Sequence, residues 1–135
     1  MLKLVQTDWG VFDVAIDDPA LGDVDAAAAT LIYGVLFTDA EAPASRADTF
    51  DRRGWWSDAQ AGTGLWHVRR QPLNSAARQE AIAMVQAALT IRAPALTGVE
   101  VQEVTQTAAS GNVSSVVLQI TGFHNGRKFI VEAPL

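Results

Sequence analysis

The chain has 135 residues, a formal net charge of −5 and no cysteine. That length corresponds to one domain, able to bury roughly two-thirds of its unfolded surface without staples. The missing thiols exclude a disulfide scaffold, a thiolate metal site and a cysteine nucleophile.

The charge is unevenly placed: residues 1–50 carry nine acids and two bases, and residues 51–80 carry three acids and five bases. The basic island is Arg52, Arg53, Arg69, Arg70 and Arg78. It is too short to form the concentrated basic face that free nucleic acid requires. Its plain reading is a set of solvated or salt-bridged arginines facing the acidic first half. The opening "MLKLVQTDWG" turns polar by Gln6, too soon for a signal peptide. No apolar run approaches the roughly 20 residues that span a bilayer, so no membrane partner is expected.

The elements follow in chain order. "LKLV" and "VFDVAI" read as two short strands joined around "TDWG", with Gly10 supplying the turn. "DDPALGD" breaks the pattern. Val24, Ala27, Ala28, Leu31, Ile32, Val35 and Leu36 then follow a helical rhythm, with Asp23 and Asp25 placed to cap its start. Gly34 inside that helix suggests a close backbone approach. Residues 38–64 have no period and hold Pro43, Gly54, Gly62 and Gly64. A loop this long inside a compact domain is usually functional or disordered, and two tryptophans argue against disorder. "GLWHVRRQP" returns to apolar residues and stops at Pro72. A second helix begins at Asn74 or Ser75, buries Ala81, Ile82, Val85, Ala88 and Leu89, and ends at Pro94.

The last third reads as β-structure. "VEVQEV" slips phase between Val101 and Val104, which suggests a bulge. "SVVLQITGFHNGRKFIVEA" is a hairpin on an Asn125-Gly126 type I′ turn. That turn sets Ile120 opposite Val131, Leu118 opposite Ala133 and Gly122 opposite Phe129 on a core face. The outer face pairs Gln119 with Glu132 and Phe123 with Lys128, and exposes Val117 and Ile130. The expected fold is a small single α+β domain over residues 1–135, a mostly antiparallel sheet with two main helices on one face. "KFIVEAPL" would lie at an edge open to a strand from another chain.

Chemistry is hard to place on this chain. His67 and His124 share no metal-ligand spacing with each other or with a carboxylate, and both read as packing or surface residues. Arginines beside His67 disfavour its protonated form. "AGTGLW" follows no expected strand, which weakens a phosphate-loop reading. "DDPALGDVD" has Pro19 where a calcium loop needs a ligand, so helix capping accounts for it better. No catalytic residue, cofactor or metal is expected. "DRRGWW", Asp51 to Trp56, leaves three main readings open. In the first, Trp55 and Trp56 pin the loop to the core, and Asp51 pairs with Arg52 or Arg53. In the second, Trp and Arg form a hot spot for a protein partner. In the third, the tryptophans stack on carbohydrate. Asp51 and Asp58 as a glycosidase pair is a remoter option.

The helix "AAAATLIYGVLFTDAEA", then "DRRGWWSD", then "GTGLWHVRRQP" before a second helix, resemble the Mu-like phage baseplate protein family (gene product forty-six type). Its members are similar in reading L-F-T-D, then D-R-R-G-W-W-G-D, then G-S-R-L-W-L-L. The order of elements resembles the family over residues 8–135, and the specific letters over 30–72. Ser57 stands where the family usually has Gly, and Gly64 where it has Arg. "AEAPASRADTF" is less acidic and less glycine-rich than usual. The resemblance implies a non-enzymatic structural protein of a contractile tail, assembled in the host cytoplasm into the virion tail baseplate. The partners it implies are other baseplate wedge and sheath proteins, with strand sharing through the C-terminal edge. Asp51, Arg52, Arg53, Trp55, Trp56, Trp66, Arg69 and Arg70 are the residues expected at that contact. A homo-oligomer through open edges is a further expectation. The alternative is a cell-wall hydrolase or carbohydrate-binding module using Trp55 and Trp56.

Overall fold

The computed structural model describes residues 2–8, 11–16, 26–107 and 113–135. Strands β1 (Leu2–Asp8) and β2 (Val11–Ile16) form an antiparallel ribbon with one register shift, between Gln6 and Asp8. Helix α1 (Ala26–Leu36) follows, then the long loop, a single-turn helix α2 (Leu65–Val68) and helix α3 (Ser75–Arg92). Strands β3 (Leu96–Thr107), β4 (Val113–His124) and β5 (Arg127–Pro134) make a second antiparallel sheet in the order β3-β4-β5. The protein is a small α+β domain, as its alternation of patterns implies. Gly10, Val24 and the capping residues Asp23 and Asp25 lie outside the described residues.

The helices cover one face of the three-stranded sheet. Ile32 and Leu36 of α1, Val85 and Leu89 of α3, and Leu118, Ile120 and Phe129 of the sheet are buried together. Burying each of the larger side chains contributes roughly 1.5–3 kcal/mol. The other side of α1 meets the N-terminal ribbon, where Phe12 packs 5.2 Å from Tyr33 and 4.8 Å from Phe37. A helix with neighbours on two sides needs apolar residues around more of its surface, which explains its weak amphipathicity. Leu31 is nonetheless exposed. Gly34 is not a close-approach site, because a Cβ there would meet nothing within 4 Å. Helix α3 begins as its sequence implies: Asn74 is extended and its side chain accepts from the Ala77 N–H at 2.9 Å.

The C-terminal hairpin has the expected register at every pair, on a turn with Asn125 at φ 51° and Gly126 at φ 77°. The expected bulge between Val101 and Val104 is absent. β3 pairs without interruption from Glu100 to Gln106, and its shifts fall between Thr97 and Glu100 and between Gln106 and Thr107. Val104 is simply an exposed residue of the outer face, so its apolar character carried no phase information.

β5 is an edge strand, and part of that edge is covered. A two-residue hairpin makes His124 and Arg127 a hydrogen-bonded pair, so alternate residues of β5 bond to β4. The Leu135 N–H donating to the Val116 carbonyl at 3.0 Å continues the series. Lys128, Ile130, Glu132 and Pro134 therefore turn their backbone groups outward. The Glu132 carbonyl accepts from the Tyr33 hydroxyl at 3.3 Å, and the Pro134 carbonyl accepts from Arg69 Nη2 at 2.8 Å. Pro134 has no N–H to offer.

Candidate functional site

The loop from Thr38 to Gly64 is built on a few backbone contacts at its base. The Thr63 N–H donates to the Thr38 carbonyl at 2.9 Å, and the Ala40 N–H to the Thr63 carbonyl at 2.9 Å. The buried Thr63 hydroxyl donates to the Leu36 carbonyl at 2.7 Å, satisfying a helix-end acceptor of α1. Gly62 allows this approach: its φ is 88°, and a Cβ there would lie 1.9 Å from the Thr38 carbonyl oxygen. Further out, Ala42 and Arg52 exchange bonds, Ala42 N–H to Arg52 carbonyl at 2.8 Å and Arg52 Nε to Ala42 carbonyl at 3.0 Å. Arg52 also pairs with Glu41 at 3.2 Å. Arg53 (φ 54°) and Gly54 (φ 91°) then reverse the chain through two left-handed residues.

Trp66 is the loop's anchor. It is 8% exposed, and its Nε1 donates to the Ala40 carbonyl at 2.8 Å. The guanidinium carbons of Arg53 and Arg70 lie 4.5 and 4.8 Å from the ring centroid, within cation–π range. Asp51 joins the two arginines, 2.8 Å from Arg70 and 3.7 Å from Arg53, and Asp39 holds Arg53 at 2.6 Å. The hydrogen bond from Arg70, with help from Arg53, holds the Asp51 carboxyl below its ordinary pKa. Bonding to Asp39 raises that of Arg53. Asp51 thus pairs with Arg53, as the local reading expected, and more closely with Arg70.

Trp55 and Trp56 do not pin the loop. They are 51% and 91% exposed, and Phe50 is fully exposed. The two indoles touch edge to face, with centroids 5.8 Å apart and planes at 62°. Their turn is closed by the Asp58 N–H on the Trp55 carbonyl at 3.1 Å, and Asp58 is tied to Arg92 of α3 at 2.8 Å. The Arg92 hydrogen bond and the Gln60 N–H lower the Asp58 pKa.

Three more residues complete the frame. Arg69 reaches the Pro134 carbonyl and lies 5.2 Å from the Phe37 ring, and burial lowers its pKa. His67 is buried in α2. Gly64 lies under it, and the Gly64 N–H meets Met84 Sδ at 3.1 Å. The amides of Thr63, Gly64 and Leu65 point at Thr38, Met84 and the Thr63 hydroxyl, so "GTGLW" is no phosphate cradle.

The structure brings Asp51, Arg53, Trp66 and Arg70 into one cluster. Arg52 braces it through Ala42 and Glu41, Arg69 reaches Pro134 and Phe37 instead, and Trp55 and Trp56 stand out from it. Sequence reasoning missed Asp39, Glu41, Thr63 and Arg92 as partners, and Phe50 as an exposed aromatic. The reading of arginines facing the acidic first half pointed toward Asp39 and Glu41, and Phe50 sits beside the singled-out motif. A polar cleft of about 390 Å³ opens beside Arg46, Asp48, Asp51 and Arg70. Among the described residues, no group of three or more His, Asp or Glu side chains is placed to hold a metal ion. Also among them, no helix is long and apolar enough to cross a membrane.

No curated protein matches the chain. The model of the family described as "Phage protein GP46" matches residues 28–126, from within α1 to the turn of the C-terminal hairpin. That span takes in the whole Trp66-anchored loop and most of the chain, so the protein belongs to the phage protein GP46 family.

Proposed function

We propose that the protein is a non-enzymatic structural component of a contractile-tail baseplate, in a phage or a prophage, and that the 38–64 loop is a contact surface for neighbouring wedge or sheath proteins. The observation that carries this reading is the exposure of Phe50, Trp55 and Trp56 on a loop held by ion pairs and by a buried tryptophan. Large exposed aromatics gain nothing in water, whereas aromatic anchors dominate binding energy at protein contacts. The arginines have a different part from the one first expected. Arg52, Arg53 and Arg70 are engaged with Glu41, Asp39 and Asp51, so they set the shape of the loop while the aromatics supply the contact. Strand sharing through β5 is confined to Lys128–Ile130 and the Glu132 N–H, since Tyr33 and Arg69 cover the carbonyls beyond.

The carbohydrate alternative fits less well. The two indoles meet edge to face and offer no shared flat platform. Asp51 and Asp58 are each committed to an arginine and stabilised as carboxylates, which opposes a general-acid role at neutral pH. The test is co-expression with the proteins encoded beside this one, followed by co-purification and a map of the assembled particle. Trp56→Ser is expected to abolish association while changing monomer stability by less than about 0.5 kcal/mol. A particle map with Phe50, Trp55 and Trp56 all facing solvent would remove the proposal. Peptidoglycan binding lost in the same variant would favour the alternative.

A further inference from the structure

His67 is the one imidazole buried among the described residues, and the contact reading does not use it. It is 5% exposed, and its Nδ1 has no hydrogen-bond partner there. The ring stands edge-on to Trp66, with centroids 5.5 Å apart and planes at 90°. It fills the space above Gly64, where a Cβ would lie 2.4 Å from Nε2 and 3.1 Å from the end of Met84. The charged groups facing it are Arg46 from the loop and Glu80 from α3, themselves paired at 3.1 Å. His67 shares the single turn of α2 with Trp66, whose N–H and ring hold the loop.

We propose that His67 is an acid-sensitive latch: protonating its imidazole loosens α2 and frees the loop that Trp66 anchors. This deepens the contact reading by naming a regulation of the same surface. A neutral imidazole suits the pocket better, since an unpartnered Nδ1 acceptor without charge is the smaller loss. An imidazolium makes Nδ1 a buried N–H with no acceptor and adds a charge that burial disfavours. Glu80 would welcome the charge, but Arg46 neutralises Glu80 and opposes it. Burial, then Arg46, accordingly holds the His67 pKa below its ordinary 6.5. The sign follows from linkage. The anchored state is fully favoured above about pH 6.5 and loses up to tenfold per pH unit as the pH falls toward the folded pKa. Asp51 and Asp58 titrate lower, outside this window.

The test uses the full chain alone, by amide and indole hydrogen exchange from pH 7.5 to 5. The probes are the Ala40 and Thr63 amides and the Trp66 indole N–H, with β4 and β5 amides as the global reference. The opening constant of the probes is expected to rise up to tenfold per pH unit below about 6.5 while staying above that of the reference, which carries the same linkage because global unfolding also exposes His67. His67→Gln, which cannot titrate, is expected to make the opening constant independent of pH. Gly64→Ala, which displaces the ring without backbone strain at φ −88°, is expected to open the loop already at pH 7.5, and His67→Ala to reverse that opening. An unchanged pH response in His67→Gln overturns the proposal, as does a His67 titration at or above its ordinary value. Because opening is read without a partner, failure here is distinct from failure of the contact reading.

Discussion

Replacing Trp66 by Phe keeps most of the buried ring and removes one hydrogen bond, leaving the Ala40 carbonyl without its donor. That change is expected to destabilise the chain by about 1–2 kcal/mol. Denaturant unfolding would measure the loss, and faster exchange at Ala40 and Thr63 would place it in the loop. Gly62→Ala is the harsher substitution, because it combines a left-handed backbone with a collision against the Thr38 carbonyl. A loss of about 2–4 kcal/mol is expected, read as a lowered denaturant midpoint. The letters at residues 51–56 and 62–66 marked this region as special. They did not say which tryptophan was buried. That depends on α2, which carries Trp66 under the loop, whereas Trp55 and Trp56 follow a left-handed pair and turn outward. Thr63 was equally silent, since a threonine between two glycines reads as loop until the end of α1 is brought beside it.

Elements differed in how plainly they announced themselves. The β4–β5 hairpin was legible in full, because a two-residue turn and a two-residue side-chain period define one register. Helix α3 was legible from its cap and its period, and its cap is testable: Asn74→Ala is expected to cost about 1 kcal/mol in thermal or denaturant unfolding. Helix α2 was not legible. Its four residues make one turn, too short for any period, and all four are buried. The misplaced bulge in β3 has a physical origin too. Val104 breaks the alternation of apolar residues, yet a half-solvated sheet tolerates single apolar residues on its outer side.

At the scale of the whole molecule, the ion pairs link distant parts of the chain. Arg70 meets Asp51, Arg92 meets Asp58, Arg46 meets Glu80, and Arg78 meets Glu103. All are at least partly exposed, so each contributes modestly and less at high salt. Their collective effect should appear in acid. Asp51 and Asp58 have lowered pKa values in the folded chain, so their contribution is full above the ordinary carboxylate value near 3.8 and is lost as pH falls below it. Thermal unfolding from pH 5 to pH 2 is expected to show the melting temperature dropping through that window. Asp51→Asn should flatten part of the drop.

The two carbonyls covered at the end of β5 bear on how the chain behaves in concentrated solution. An uncovered apolar edge is a template for runaway stacking of like strands, the route to fibrils. Tyr33 and Arg69 close the end nearest the core, Pro134 withholds its N–H, and Arg127 and Lys128 place charge at the other end. What remains open on the β5 edge is one short stretch around Ile130. The same covering that narrows the choice of partner strand makes β5 a poor template for stacking like strands.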